Sequence, residues 1–272
     1  MPCAFGRSCQ MQYAGDGCLK TPDSHLHKKE RLDQILVAKG LAPSRARAHD
    51  LIQRGFVTVD GRQCLKASAS VTAVQQIVLA SNAPDYVSRG AEKLVAALDA
   101  FDFQVRGRIA LDIGASTGGF TQVLIERGAR LVYAVDVGHS QLRQMLSSHP
   151  SVVALENTDA RSLDTTIVPD RIEAIVADLS FISVTKALPA ALALAAPGAW
   201  LVTLIKPQFE AGREHVGRGG IVRDPEVRQK VVRTIEMWIE ARSGWTVTGV
   251  VPSPILGGSG NAEFLIGATF SG

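Results

Sequence analysis

The chain carries two rhythms of apolar spacing. Near the front, Leu32, Ile35, Leu36 and Leu41 recur at helical intervals, Gly40 stops that helix, and Ser44 stands as N-cap for a second over 45–54 that Gly55 ends. Phe56 to Val59 then reads as a strand, Asp60-Gly61 as a tight turn and Val74 to Leu79 as a later strand. Beyond Tyr86 the rhythm changes. Short apolar runs predict strands at Ile109 to Ile113, Leu131 to Val135, Val152 to Leu155, Ile172 to Leu179 and Trp200 to Ile205. Helical patterns intervene at Gly119 to Arg127, Ser140 to Ser147, Val184 to Ala196 and Pro225 to Arg242, and two final strands follow at Thr246 to Val251 and Ala262 to Thr269. This alternation predicts an α/β fold, a doubly wound and mostly parallel sheet, behind a small α+β domain. The expected divisions are a disordered tail over 1–28, the small domain over 29–80, a polar joint over 81–87 and the large domain over 88–272.

The stretch from Ala187 to Ile205 holds no charged residue, which is long enough to span a bilayer as a helix. Pro189, Pro197 and Gly198 interrupt it, and Pro197-Gly198 is expected to be the turn between a helix and the next strand, so no membrane association is predicted. The 272 residues carry a net charge of +3, but the basic charge is concentrated: residues 28–66 hold nine Lys and Arg against four Asp and Glu. Of the four cysteines, Cys3, Cys9 and Cys18 fall in the polar tail and Cys64 in the small domain, with no CxxC pair, so neither a disulfide framework nor a metal site is expected. No continuous apolar run resembling a signal peptide occurs before Lys28, which leads to a cytoplasmic expectation.

Arg45 and Arg47 open the second helix, whose N-terminal dipole favours phosphate, and Arg31 and Arg54 extend the basic character. With few aromatics among them, the expected partner is folded RNA read by shape and backbone. The stretch resembles the S-four-like RNA-binding domain through Arg31-Leu32-Asp33, Gly40-Leu41, Ser44-Arg45, Leu51-Ile52, Gly55 and Val57 to Gly61.

In the large domain, Asp112, Gly114, Ser116, Gly118, Gly119 and Phe120 lie where the first strand gives way to a helix, so backbone can approach a nucleotide-like ligand there. The spacing is not GxGxxG and no Walker lysine follows, which weakens a nicotinamide or nucleotide-hydrolase reading. Asp136 ends the second strand, where a carboxylate would accept ribose hydroxyls, and Asp159 follows the third, near an adenine edge or simply capping a turn. Together with Asp178 these positions look like the motifs of class I methyltransferases that use S-adenosylmethionine.

Lys93, Asp178, Lys206 and Glu263 each fall at the end of a strand or the start of a helix around that loop. Methyl transfer to a hydroxyl needs a base at the oxygen and close alignment of the reactants. Lys206, between an apolar strand and Pro207, is the expected base. Lys93 would stay charged and hold a phosphate or steady the alkoxide, Asp178 would orient Lys206, and Glu263 would position Lys93 or the ribose.

Val87 to Leu94, Asp112 to Phe120, Asp178 to Ser183, Ile205 to Glu210 and Asn261 to Phe264 look like the TlyA family, an S-four-like domain fused to an FtsJ-like domain. The resemblance runs from about Glu30 to the end. It implies the tetrad Lys93, Asp178, Lys206 and Glu263 and 2′-O-methylation of cytidine in ribosomal RNA, with ribosomal RNA or ribosomal subunits as partners. The tail before Lys28, and Tyr86 where some members carry tryptophan, depart from the family pattern. Arg89 and the Gly- and Arg-rich segment 210–224, with Arg213 and Arg218, are expected to contact RNA, the segment as a mobile loop closing over the acceptor. Two rivals follow: a membrane-active protein, since TlyA-like proteins also bear haemolysin names, and an RNA-binding assembly factor without catalysis. No oligomeric state is implied.

Overall fold

The computed structural model describes residues 29–72 and 74–272. The expected tail and its three cysteines lie outside the described residues. The chain forms two compact units that divide between Ala83 and Pro84.

In the first unit, β1 (Lys29–Arg31) leads into α1 (Leu32–Ala38) and α2 (Arg45–Gln53), followed by β2 (Val57–Val59), β3 (Arg62–Gln63), β4 (Ser70–Thr72) and β5 (Ile77–Leu79). Ser44 caps α2 by accepting the Arg47 backbone N–H. Leu32, Leu36, Leu51, Ile52 and Val57 bury against one another as the core. The strands form two small sheets, β1 with β4 and β3-β2-β5. The strand expected over 74–79 is therefore shorter. Asp60 accepts hydrogen bonds from the Gln75 side chain and the Gln76 N–H, which folds the preceding residues into a turn and leaves Val74 exposed.

The second unit begins with α3 (Gly90–Phe101) and continues through β6 (Ile109–Ile113), α4 (Gly119–Glu126), β7 (Leu131–Val135), α5 (Gln144–Ser147), β8 (Val152–Leu155) and β9 (Ile172–Ala177). It is completed by α6 (Val184–Ala187), α7 (Pro189–Ala193), β10 (Ala195–Ile205), α8 (Pro207–Glu210), α9 (Pro225–Glu240), β11 (Trp245–Pro252) and β12 (Phe264–Phe270). The strands form one sheet of order β11-β12-β10-β9-β6-β7-β8. The strands from β10 to β8 run parallel, while β12 and β11 are antiparallel additions. Successive residues of the central strands face opposite ways, as the two-residue repeat of a strand requires. Leu111, Ile113, Leu201 and Ile205 enter the core under α6, α7 and α9, whereas Ala110, Trp200, Val202 and Leu204 enter the core under α3 and α4.

Two predicted helices are cut short. The one expected over 184–196 breaks at Pro189, which lacks an N–H and starts α7. The chain is already in β10 at Ala195, so Pro197-Gly198 lies inside a strand. The register slips there between Ala195 and Trp200, a bulge that accommodates the missing donor, and Arg108 donates to the Gly198 carbonyl. The helix expected from Ser140 begins only at Gln144, because Ser140 has φ 52 and the amides of 140–142 are directed at Glu156. Among the described residues no helix is long and apolar enough to cross a membrane.

Candidate active site

The parallel strands deliver their C-terminal ends to one edge of the sheet, which is where an open α/β sheet places its ligand. From β6 the chain turns at Gly114, with φ 80. A Cβ there would lie 2.7 Å from the Asp178 carbonyl oxygen, so two loops approach at backbone distance. Ser116 takes the left-handed conformation with φ 48, and its N–H donates to Asp136 at 2.8 Å. At Gly119 the N-terminus of α4 meets that of α3, and a Cβ would run into the Ala91 N–H and the Ser88 hydroxyl.

Two cavities open beside this loop. The larger, of about 460 Å³, is lined by Ser116, Asp136, Val137, Gln141, Asp159 and Leu179 among others. The smaller, of about 270 Å³, is lined by Arg89, Lys93, Phe120, Lys206 and Leu256 among others. Gly114, Ser116, Asp178 and Ser180 belong to both walls, so the cavities adjoin at Asp178.

Lys206 follows the last residue of β10, and its Nζ lies 2.6 Å from Asp178 Oδ1 while donating to Ser180 Oγ at 2.9 Å. Lys93, on the first turn of α3, donates from Nζ to Glu263 Oε2 at 2.5 Å. Both members of this second pair are buried, Lys93 7% and Glu263 4% exposed. Of the four, Lys93, Asp178 and Lys206 wall the smaller cavity, and Glu263, immediately before β12, backs Lys93. The fold thus brings together two lysine–carboxylate pairs, one of them 170 residues apart in sequence.

Among the expected nucleoside contacts, Gly114, Ser116, Asp136, Asp159 and Asp178 line the larger cavity, and Gly119 and Phe120 the smaller. Asp136 also receives the Gly138 N–H at 2.7 Å, leaving each carboxylate oxygen able to accept another donor. Asp159 caps the short 3-10 turn Ala160–Ser162, and Arg161 grips both its oxygens, which holds its carboxyl down at about 2. Gly118 and Asp112 line neither cavity. Asp112 is fully buried on the α4 side of the sheet. It accepts the Thr121 hydroxyl at 2.6 Å on one oxygen, while the other meets no donor among the described residues. Burial pushes its carboxyl up to about 7, against the Thr121 bond and with help from the charges of Asp178 and Asp136.

Ser180 and Asn261 fall in family-like segments but, like Gln141, gain a role only from the structure. Ser180 holds Lys206, and Gln141 reaches the larger cavity from a segment expected to be helical. Asn261 is buried at 1% exposure. Its side chain accepts the Val222 N–H at 3.0 Å and donates to the Gly220 carbonyl at 2.8 Å, so the segment 211–224 is tied to the residues before Glu263. Arg213 and Arg218 stand exposed on that segment, and Arg89 lines the smaller cavity.

In the first unit, the structure takes Arg47 off the expected basic face. It is 5% exposed and bonded to Asp50 at 2.8 Å. Arg31 and Arg45 both bond the buried Asp33, holding its carboxyl near 2, yet their side chains remain 44% and 59% exposed. Arg54 lies over the Phe56 ring and within 3.6 Å of Asp50.

The family model for FtsJ-like methyltransferases matches residues 86–270, nearly all of the cavity-bearing unit, and that for the S4 domain matches residues 30–77. The chain belongs to the FtsJ-like methyltransferase family. This methyltransferase is 45% identical over 240 residues to the 16S/23S rRNA (cytidine-2′-O)-methyltransferase TlyA of Mycobacterium tuberculosis, covering 88% of this chain and 89% of that one. It is 40% identical over 237 residues to Hemolysin A of Brachyspira hyodysenteriae, covering 86% and 98%. A solved structure of a Streptococcus thermophilus protein, titled as a hemolysin, superposes with a TM-score of 0.70 at 38% identity over 90% of this methyltransferase and 89% of that chain.

Proposed function

We propose that this methyltransferase acts in the cytoplasm on ribosomal RNA, free or in ribosomal subunits, and moves a methyl group from S-adenosylmethionine to a cytidine ribose 2′-hydroxyl. The observation that carries this reading is the smaller cavity, where Lys93 and Lys206 face the same space and Asp178 forms a common wall with the larger one.

The larger cavity fits the donor. Asp136 retains lone pairs for ribose hydroxyls, Val137, Leu179 and Ile182 offer apolar walls to a purine, and the backbone-close turn at Gly114 leads toward Asp178. When bound, the donor supplies a carbon made electrophilic by its sulfonium. A 2′-hydroxyl in the smaller cavity gives its proton to Nζ of Lys206. Asp178 and Ser180 fix that nitrogen on the cavity wall. Lys93, its charge balanced by Glu263, stands by the forming alkoxide or the adjoining phosphate. Holding both reactants at Asp178 replaces a bimolecular encounter by an oriented one. Arg31 and Arg45 of the first unit, with Arg89, Arg213 and Arg218, supply cations for the RNA backbone.

The test incubates the full chain with ribosomal subunits and tritiated donor, then maps ribose methylation. Wild type is expected to label a cytidine 2′-oxygen. Lys206→Ala should lose about a hundredfold or more of the rate, the usual contribution of a positioned base, while still binding donor. Label confined to nucleobases, or a Lys206→Ala chain of undiminished rate, would sink the reading. Leakage from liposomes without methyl transfer would favour the membrane-active alternative.

A further inference from the structure

Glu156 follows β8, outside both cavities, and has no part in the chemistry described above. Its carboxylate accepts three consecutive backbone N–H groups: Ser140 at 2.8 Å on one oxygen, and Gln141 at 2.8 Å and Leu142 at 3.2 Å on the other. These bonds close a strap over residues 138–143. Asn157 donates its N–H to the Gly138 carbonyl, and Arg143 donates its N–H to the Thr117 carbonyl. Within the strap, Gln141 reaches the larger cavity and accepts the Ser116 hydroxyl at 3.3 Å. Leu142 packs so near the glycine loop that a Cβ on Gly118 would lie 2.7 Å from it. The backbone around Ser140, at φ 52, is one that an L-residue adopts only when its surroundings compel it.

We infer that Glu156 is a positioning residue for donor binding: by gathering the amides of 140–142 it holds Gln141 and the glycine loop in the shape that closes the larger cavity. This rests on the reading of that cavity as the donor site. The three bonds are charge-assisted, and the Leu142, Ser140 and Gln141 amides hold the carboxyl below its ordinary range. Glu156→Gln keeps the size of the side chain but removes the charge and turns one acceptor into a donor facing the Ser140 N–H.

The experiment measures binding of S-adenosylhomocysteine by calorimetry, with methyl transfer to ribosomal subunits and amide exchange at 140–142 on the same proteins. Glu156→Gln is expected to weaken binding and raise the donor KM by about tenfold or more. Its kcat at saturating donor and its KM for subunits should stay near wild type, while exchange at 140–142 quickens. Gln141→Ala should weaken donor binding in the same direction. Unchanged affinity in Glu156→Gln overturns the inference, and so does a parallel fall of kcat and subunit affinity with the melting temperature, which marks a general structural role. A wild-type chain without affinity for S-adenosylhomocysteine overturns the donor site itself, a result distinguishable because it precedes any comparison of variants.

Discussion

Replacing Glu263 by Gln isolates the most demanding electrostatic feature of the site. Lys93 is 7% exposed and its ammonium meets Glu263 at 2.5 Å, so the charge has little water to fall back on. Removing one partner of a buried ion pair leaves the other uncompensated, which costs about 3–5 kcal/mol. With a urea dependence of roughly 2 kcal/mol per molar, that loss lowers the unfolding midpoint by about 2 M. The assay is intrinsic fluorescence during urea unfolding. All three tryptophans, Trp200, Trp238 and Trp245, belong to the second unit, so the signal reports on the domain that holds the pair. The double variant Lys93→Met with Glu263→Met, which swaps both charges for apolar groups of similar length, should recover most of the stability and remain inactive. A Glu263→Gln stability within about 0.5 kcal/mol of wild type, the scatter of ordinary surface substitutions, would refute the claim that this pair is desolvated. A double variant as unstable as the two single losses combined would refute the coupling.

Asp112 makes a prediction about pH. Its carboxyl rises from an ordinary 3.8 to about 7 on folding, so the folded chain binds the extra proton between those values. Stability is fully present below pH 4, falls as pH rises through 7 and then levels, losing at most about 4 kcal/mol for a shift of about three units. Asp112→Asn should therefore be more stable than wild type at pH 8 and gain little at pH 4, and urea midpoints that differ equally at both would contradict this. Asn261→Ala strands the Val222 N–H and the Gly220 carbonyl. It should cost about 1–3 kcal/mol and hasten tryptic cleavage at Arg218, with an unaltered digestion pattern counting against the tie between 211–224 and the segment before Glu263.

The alternation of apolar strands with amphipathic helices was legible because side-chain periodicity is a local property, visible in any short window. So were the turn at Gly114 and the places of Asp136, Asp178 and Lys206, since residues that end parallel strands gather at one edge of the sheet whatever the loops do. What local pattern misread was decided by contacts from elsewhere. Ser140 has helical neighbours, but Glu156, sixteen residues on, claims the amides that would have followed it. Pro197-Gly198 has the composition of a turn, yet β9 and Arg108 hold it in a bulged strand. Arg47 sits at a helix start suited to phosphate, but the packing of α2 buries it against Asp50. Which carboxylate faces which lysine depended on the strand order, which places β12 beside β10 and so brings Glu263 across 170 residues to Lys93. Spacing along a chain carries the repeat of each element, whereas the pairing of distant charges is settled only when the sheet closes and excludes the water that would otherwise have solvated them.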